Sequence, residues 1–250
     1  MAQAAREAGM CRAARDEVVA RVLAERATIR PEGYALLSPG PIEAEALAAL
    51  LRCIAGAAHA PPIDRVALLA RAPRPATIGG VRIVSAGRLG AGWLLVREPR
   101  AMRAAVPARR DAVWDGRFRL AAWPPDGSGS ERLGSELSAE TSTPVARLAC
   151  ARGALQPGTW DAQTFATGRL GTLGPLGADA VRFRTRDGPP SVVLHGLPAL
   201  RTDGMLIAVP HIGVGDPRWR LLFDPRNCAA GAPFLPGAPA KLGNGTLGVG

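Results

Sequence analysis

The chain has 250 residues, is 47% hydrophobic and carries 31 basic against 21 acidic residues, for a net charge of +10. This hydrophobic fraction excludes a wholly disordered chain, and Arg, Gly or Pro interrupts every apolar run before it reaches the roughly 18 residues of a membrane-spanning helix. The N-terminus has no apolar signal core, so we expect a cytoplasmic globular protein. Its excess of positive charge favours a phosphate-rich partner such as nucleic acid.

Residues 2–29 have the pattern of one long helix. Met10, Ala14, Val18 and Val22 recur at a spacing typical of one helix face, while arginines lie off this face. A helix this long and polar cannot bury itself alone. We therefore assign residues 1–31 to a linker helix that packs against another part of this chain or against another protein.

Residues 32–106 mix helical and strand patterns and are predicted to form a small domain of two helices and a hairpin. The glycines between residues 87 and 92 lie between two predicted strands rather than before a helix. This position favours a hairpin connection over a cofactor-binding loop. The predicted elements are a strand at 34–37, helices at 42–56 and 61–69, and strands at 77–84 and 93–97.

Residues 107–235 are rich in Pro and Gly and are predicted to form a strand-rich C-terminal domain. The predicted elements there are strands at 117–123, 180–183 and 205–209, a helix within 189–200, and a loop at 124–143. Residues 236–250 are expected to be a disordered tail. The predicted fold class is therefore α+β, with domain boundaries near Glu32 and Pro107.

Motifs of catalysis, metal binding and cofactor binding are missing from the sequence. The single lysine, Lys241, is followed by Leu242 and cannot complete a phosphate-binding loop. No CxxC pair and no HExxH motif occurs, so we expect neither a metal nor a cofactor in this chain. We expect the four cysteines to be buried and to pack as small hydrophobic residues; they are Cys11, Cys53, Cys150 and Cys228.

An aspartate pair and one histidine allow either a catalytic or a structural interpretation. Asp111 and Asp115 could form an acid-base couple, but the neighbouring arginines favour a surface charge network. His211 follows a predicted strand and is interpreted as a structural histidine rather than a general base.

Arginines are concentrated between residues 97 and 119, where Trp114 and Phe118 lie among them. Arginine binds phosphate bidentately and stacks on bases, and nearby aromatic rings can add stacking surfaces. A second group lies at 182–186, where strand alternation predicts three arginines on one face. The alternative is a solvated charged face above buried aromatic residues. The predicted phosphate-contacting residues are Arg97, Arg100, Arg103, Arg117, Arg119, Arg182, Arg184 and Arg186.

Short motifs occur in one order between residues 77 and 234. They include Trp114-Asp-Gly-Arg-Phe118, Leu173-Gly-Pro-Leu-Gly177 and Gly196-Leu-Pro-Ala-Leu200, followed by Ala208-Val-Pro-His-Ile-Gly213. In this order they resemble the region downstream of the catalytic domain in tRNA(Ile)-lysidine synthase. The helix at 2–29 also looks like the helix that leaves the catalytic domain in that family.

The resemblance implies a role in the ATP-dependent joining of lysine to the wobble cytidine of an isoleucine tRNA. Family members begin with an ATP-pyrophosphatase domain whose Ser-Gly-Gly-x-Asp-Ser loop binds ATP, and the nearest fragment here is Ser128-Gly129-Ser130. We therefore expect this chain to be the tRNA-holding part, inactive alone, with tRNA and a separate ATP-pyrophosphatase domain as partners and no membrane. The alternatives are a stand-alone basic RNA-binding module without enzymatic activity and a decayed fragment without function.

Overall fold

A computed structural model describes residues 2–122 and 171–230, which fold into helices and antiparallel sheets. The predicted α+β class is confirmed. Within these residues no helix is long and apolar enough to cross a membrane. The predicted loop at 124–143 and the predicted tail at 236–250 lie outside the described residues.

The leading helix, α1, spans Ala2–Arg26 and is shorter than predicted. Its last predicted residues instead form strand β1, Ala27–Arg30, which pairs antiparallel with β2, Tyr34–Leu37. The predicted boundary near Glu32 falls in the turn between these strands. Val19 and Leu23 of α1 are buried, whereas Met10 and Val18 are exposed. The C-terminal part of α1 therefore packs on the remainder of the described chain, and Arg15 in its middle lies 3.6 Å from Glu45.

A five-stranded antiparallel sheet has the order β1-β2-β5-β4-β3. Its other strands are β3 (Ala76–Ile78), β4 (Val81–Ser85) and β5 (Trp93–Arg97). The sequence pattern predicted one strand across β3 and β4, and this prediction is wrong. Gly79 and Gly80 have φ angles of 58° and 76°, so the chain reverses there in a two-residue hairpin turn that favours glycine.

Helices α2 (Ala44–Ala55) and α3 (Ile63–Arg71) cover one face of this sheet, close to their predicted positions. Leu47, Leu51 and Val66 pack there with Ile83 and Leu95 of the strands. Helix α2 ends at Gly56, whose left-handed φ of 60° suits a glycine cap.

The C-terminal residues cover the opposite face of the same sheet. Leu94 and Val96 of β5 pack there with Leu176, Val193 and Leu197. Residues on either side of the predicted boundary near Pro107 therefore share a hydrophobic core. Because both faces are covered, four consecutive residues of β5 are buried rather than alternately exposed.

Two smaller antiparallel sheets complete the described fold, with a shared core that includes Trp114, Phe118, Leu173 and Leu200. One has the order β11-β10-β9-β6 and the other the order β12-β8-β7. Their strands are β6 (Val106–Pro107), β7 (Val113–Trp114), β8 (Phe118–Ala122), β9 (Thr172–Pro175), β10 (Pro198–Thr202), β11 (Met205–Ala208) and β12 (Arg220–Phe223).

Strands β8 and β11 lie where strands were predicted, but two other predictions in this region are wrong. Residues 180–183 belong to a 3-10 helix, Gly177–Phe183, rather than to a strand. The helix predicted within 189–200 is limited to α4, Ser191–Leu194. The residues from Pro198 onward instead pair with both β9 and β11, so tertiary pairing overrides the apolar helical pattern.

The cysteines only partly follow their predicted burial. Cys53 is buried on α2, where burial raises the pKa of its thiol to about 12. Cys11 and Cys228 are exposed, so the prediction of burial is wrong for both. Cys150 lies outside the described residues.

Candidate nucleic-acid interface

The arginines between residues 97 and 119 divide into buried and exposed sets. Arg97 is 9% exposed and Arg117 only 1% exposed. Arg100 and Arg103, by contrast, are exposed to solvent. The burial of Arg97 and Arg117 corrects the prediction that they contact phosphate, because their guanidinium groups lie inside the protein.

Asp115 lies between the two buried arginines. Its carboxylate accepts hydrogen bonds from Nε of Arg97 at 2.9 Å, from Nη2 of Arg97 at 3.1 Å and from Nε of Arg117 at 2.9 Å. The backbone N–H of Arg103 donates to the same carboxylate at 3.1 Å. We call Arg97, Asp115 and Arg117 the Asp115 network.

Arg117 is the most enclosed member of the Asp115 network. Burial lowers the pKa of its guanidinium to about 10, and the nearby Asp115 carboxylate opposes that shift. Nη1 of Arg117 donates to the Gly33 carbonyl at 3.3 Å, and its guanidinium carbon lies 5.0 Å from the centre of the Phe118 ring. Arg117 therefore joins the β1–β2 turn to the β7–β8 turn.

The Asp115 network also fixes residues 98–103, which we call the 98–103 arm. Arg97 donates to the carbonyl of Gly80 at 3.0 Å and to the carbonyl of Ala101. At the far end of the arm, Nε1 of Trp114 donates to the Arg103 carbonyl at 3.2 Å. Buried side chains thus hold the backbone of the arm at Ala101 and Arg103, and a backbone hydrogen bond from Glu98 to the Gly80 carbonyl holds its start.

Arg100 and Arg103 extend from this fixed backbone. Among residues 2–122 and 171–230, neither side chain has an ion-pair partner. Within the described part of the chain, no carboxylate therefore competes with an external anion for these two guanidinium groups. The 98–103 arm therefore presents two preorganised arginines, and we take it as the centre of the candidate interface.

Arg119 is engaged differently from Arg117. Arg119 is 37% exposed, and its Nε lies 2.7 Å from Oδ2 of Asp224. Its Nη1 lies 3.5 Å from Oδ1 of Asp111. Hydrogen bonding to Asp224 is the main cause that raises the pKa of Arg119. Arg117, by contrast, precedes β8 and is buried.

The two aspartates near these arginines also separate. Asp111 takes part in a surface charge network with Arg119, as the sequence suggested. Asp115 is buried instead. The Asp-Gly dipeptide formed by Asp115 and Gly116, between Trp114 and Phe118, is a hairpin signal that could have located this turn. It does not reveal that the carboxylate points inward.

The second predicted arginine group, at 182–186, does not lie on one face of a strand. Arg182 lies in the 3-10 helix, with Nη1 3.7 Å from Oδ1 of Asp179. Arg184 and Arg186 follow that helix and are exposed, and neither side chain has an ion-pair partner within the described ranges. Sequence reasoning missed Arg88, whose guanidinium donates to the carbonyls of Arg186 and Gly188.

His211 occupies a structural position. Its ring packs edge-on against Phe118, with ring centres 5.5 Å apart, and Nδ1 is buried without a hydrogen-bond partner among the described residues. Burial lowers the pKa of His211 to about 4, while a hydrogen bond to the Pro31 carbonyl opposes the shift. This environment suits a neutral histidine in the core rather than a general base near pH 7.

The described residues hold no group of three His, Cys, Asp or Glu side chains placed to bind a metal ion. The candidate interface consists of arginines held by a buried scaffold. No protein-family model, no curated protein and no solved structure matches this chain.

Proposed function

We propose that this chain binds tRNA and is the tRNA-recognition part of a tRNA(Ile)-lysidine synthase. The observation that carries the proposal is the 98–103 arm, which presents Arg100 and Arg103 without ion-pair partners among the described residues. The net charge of +10 supports the same partner class. The ordered motifs from residue 77 onward supply the resemblance to that family.

Preorganisation makes the arm suited to phosphate. A flexible arginine loses side-chain and backbone freedom when it binds, and a backbone already fixed by the Asp115 network reduces that cost. Two guanidinium groups on one short arm can each contact a phosphate bidentately. Such contacts supply affinity and register without reading sequence.

The buried scaffold also favours a function beyond stability. Two arginines share one carboxylate inside the protein, and desolvation of such groups offsets much of their attraction. Well-packed apolar residues often replace buried ion pairs without loss of stability. The Asp115 network has the geometric role of fixing the arm, because its hydrogen bonds reach the backbone at Ala101 and Arg103.

In the proposed enzyme, this part holds the tRNA while a separate ATP-pyrophosphatase domain performs the chemistry. ATP is then a cofactor of that catalytic domain rather than of this chain, which we expect to be inactive alone. Holding the tRNA would place the wobble cytidine near the adenylating site, a contribution through positioning. The second candidate function is a stand-alone RNA-binding module, which the free arginines support equally.

Filter binding of tRNA at fixed salt tests the proposal. The Arg100→Ala/Arg103→Ala double variant should weaken tRNA binding by about tenfold for each arginine removed. The matched control is Arg65→Ala/Arg71→Ala, which removes the same charge from exposed residues of α3. Equal affinities for the two double variants would overturn the assignment of the arm.

Addition of a lysidine synthase catalytic domain separates the two candidate functions. With ATP, lysine and isoleucine tRNA, the mixture should incorporate lysine faster when this chain is present. The matched reaction contains the Arg100→Ala/Arg103→Ala variant and should lose that stimulation. Tight tRNA binding without stimulation would favour the stand-alone RNA-binding module.

A further inference from the structure

A cleft of about 450 Å³ lies outside the 98–103 arm, between the β4–β5 connection and residues 184–192. Val84 and Leu94 contribute from the five-stranded sheet, and Val192 contributes from α4. Pro189 and Pro190 supply further apolar surface. The volume falls within the range of small-molecule sites, and the lining is mainly apolar.

The rim of the cleft carries positive charge. Arg184 lines it, is exposed and has no ion-pair partner in the described part of the chain. Arg88 also lines the cleft, but its guanidinium donates to the carbonyls of Arg186 and Gly188. Arg88 thereby ties the β4–β5 connection to the segment that carries Arg184, so hydrogen bonds hold this part of the rim in place.

We propose that this cleft receives one unpaired nucleotide of an RNA chain, with the base against the apolar surface and a phosphate at Arg184. The proposal rests on the proposed RNA-binding function. Each nucleotide carries one flat base and one phosphate, which matches one apolar cleft beside Arg184, an arginine without an ion-pair partner among the described residues. Bases in a duplex are stacked and paired, so only an unpaired base can enter.

This proposal differs from the role of the 98–103 arm in the kind of RNA it selects. Arginines on an open surface bind the phosphates of paired and unpaired RNA alike. A cleft that also covers a base favours single strands, and any base can enter because each has an apolar ring face. The cleft therefore adds a preference for unpaired RNA without strong sequence specificity.

Fluorescence anisotropy with two labelled RNAs tests the proposal in the full chain. One probe is a single-stranded octanucleotide and the other is a fully paired RNA duplex. The variants are Arg184→Ala and its control Arg186→Ala, which removes the same charge from an exposed residue that does not line the cleft. Arg184→Ala should weaken octanucleotide binding by about tenfold, and Arg186→Ala by about twofold.

Three comparisons decide the outcome. The two variants should bind the duplex equally, and an abasic octanucleotide should remove the difference between them. Equal losses of octanucleotide affinity for Arg184→Ala and Arg186→Ala would overturn the cleft proposal while leaving RNA binding intact. Failure of the unaltered chain to bind either RNA would overturn the proposed function as well.

Free cytidine monophosphate serves as a competitor and distinguishes an RNA site from a mononucleotide site. One base and one phosphate provide little contact, so displacement of the octanucleotide should require about millimolar concentrations. Displacement at micromolar concentrations would identify a site for free nucleotides and contradict the assignment to an RNA chain.

Discussion

Removal of the Asp115 carboxylate is expected to destabilise the protein strongly. Asp115→Ala deletes the acceptor of three hydrogen bonds from the guanidinium groups of Arg97 and Arg117 and of one from the backbone of Arg103. It leaves two buried positive charges without their shared anion. Breaking a buried ion pair in this way costs about 3 to 5 kcal/mol of unfolding free energy.

Asp111→Ala is a closely matched control for this substitution. Asp111 and Asp115 both have left-handed backbone conformations, with φ angles of 61° and 54°, so alanine introduces comparable strain at each position. The Asp111 side chain is 66% exposed and its ion pair with Arg119 spans 3.5 Å. Loss of such a surface pair costs about 0 to 1 kcal/mol.

Urea unfolding followed by tryptophan fluorescence measures the difference between the two variants. Asp115→Ala should lose about 3 kcal/mol more than Asp111→Ala, and its melting temperature should fall by about 10 °C relative to that control. If the unfolding free energies of the two variants agree within about 0.5 kcal/mol, Asp115 does not neutralise two buried arginines.

Two other perturbations test the surroundings of this network. Gly56→Ala should lower the free energy of unfolding by about 1 to 3 kcal/mol more than Gly87→Ala. A Cβ at Gly56 would meet Cγ of Arg117 at 2.4 Å, whereas Gly87 has open space and a similar positive φ. Equal losses of unfolding free energy in urea would contradict this close approach. The free energy of unfolding should also fall by about 3 kcal/mol between pH 6.5 and pH 4. The pKa of His211 is 6.5 in the unfolded chain and about 4 in the folded protein, so the unfolded chain binds more protons in that interval. His211→Phe should remove this contribution in urea titrations at several pH values, and an unchanged pH dependence would exclude His211 as its source.

The sequence predicts correctly those elements whose hydrophobic pattern and end signals lie within the segment itself. Helix α2 combines apolar helical spacing with a terminal glycine, and Gly56 takes the left-handed cap conformation. Residues 198–202 carry an apolar pattern that suits a helix or a strand, and pairing with β9 and β11 decides in favour of the strand. That information resides in distant residues and is absent from the segment itself.

The candidate interface shows the same limit. The concentration of arginines between residues 97 and 119 is visible in the sequence, but the division into buried and exposed side chains is not. Arg97 ends a strand covered on both faces, whereas Arg100 lies three residues later in a short 3-10 turn. Arg97 is enclosed by contacts with Asp115, Gly80 and Ala101, and its partners Asp115 and Gly80 lie outside the segment that carries it.

The salt dependence of tRNA binding is the most direct test of whether Arg100 and Arg103 contact phosphates. If Arg100 and Arg103 each neutralise one phosphate, their joint replacement with Ala should lower the slope of log affinity against log salt by about 2 units. Arg97 is left unchanged because it is buried and supports the arm. The predicted result is a slope lowered by about 2 units for the Arg100→Ala/Arg103→Ala variant and an unchanged slope for the α3 control, Arg65→Ala/Arg71→Ala. A slope equal to that of the unaltered protein would contradict phosphate binding by the 98–103 arm.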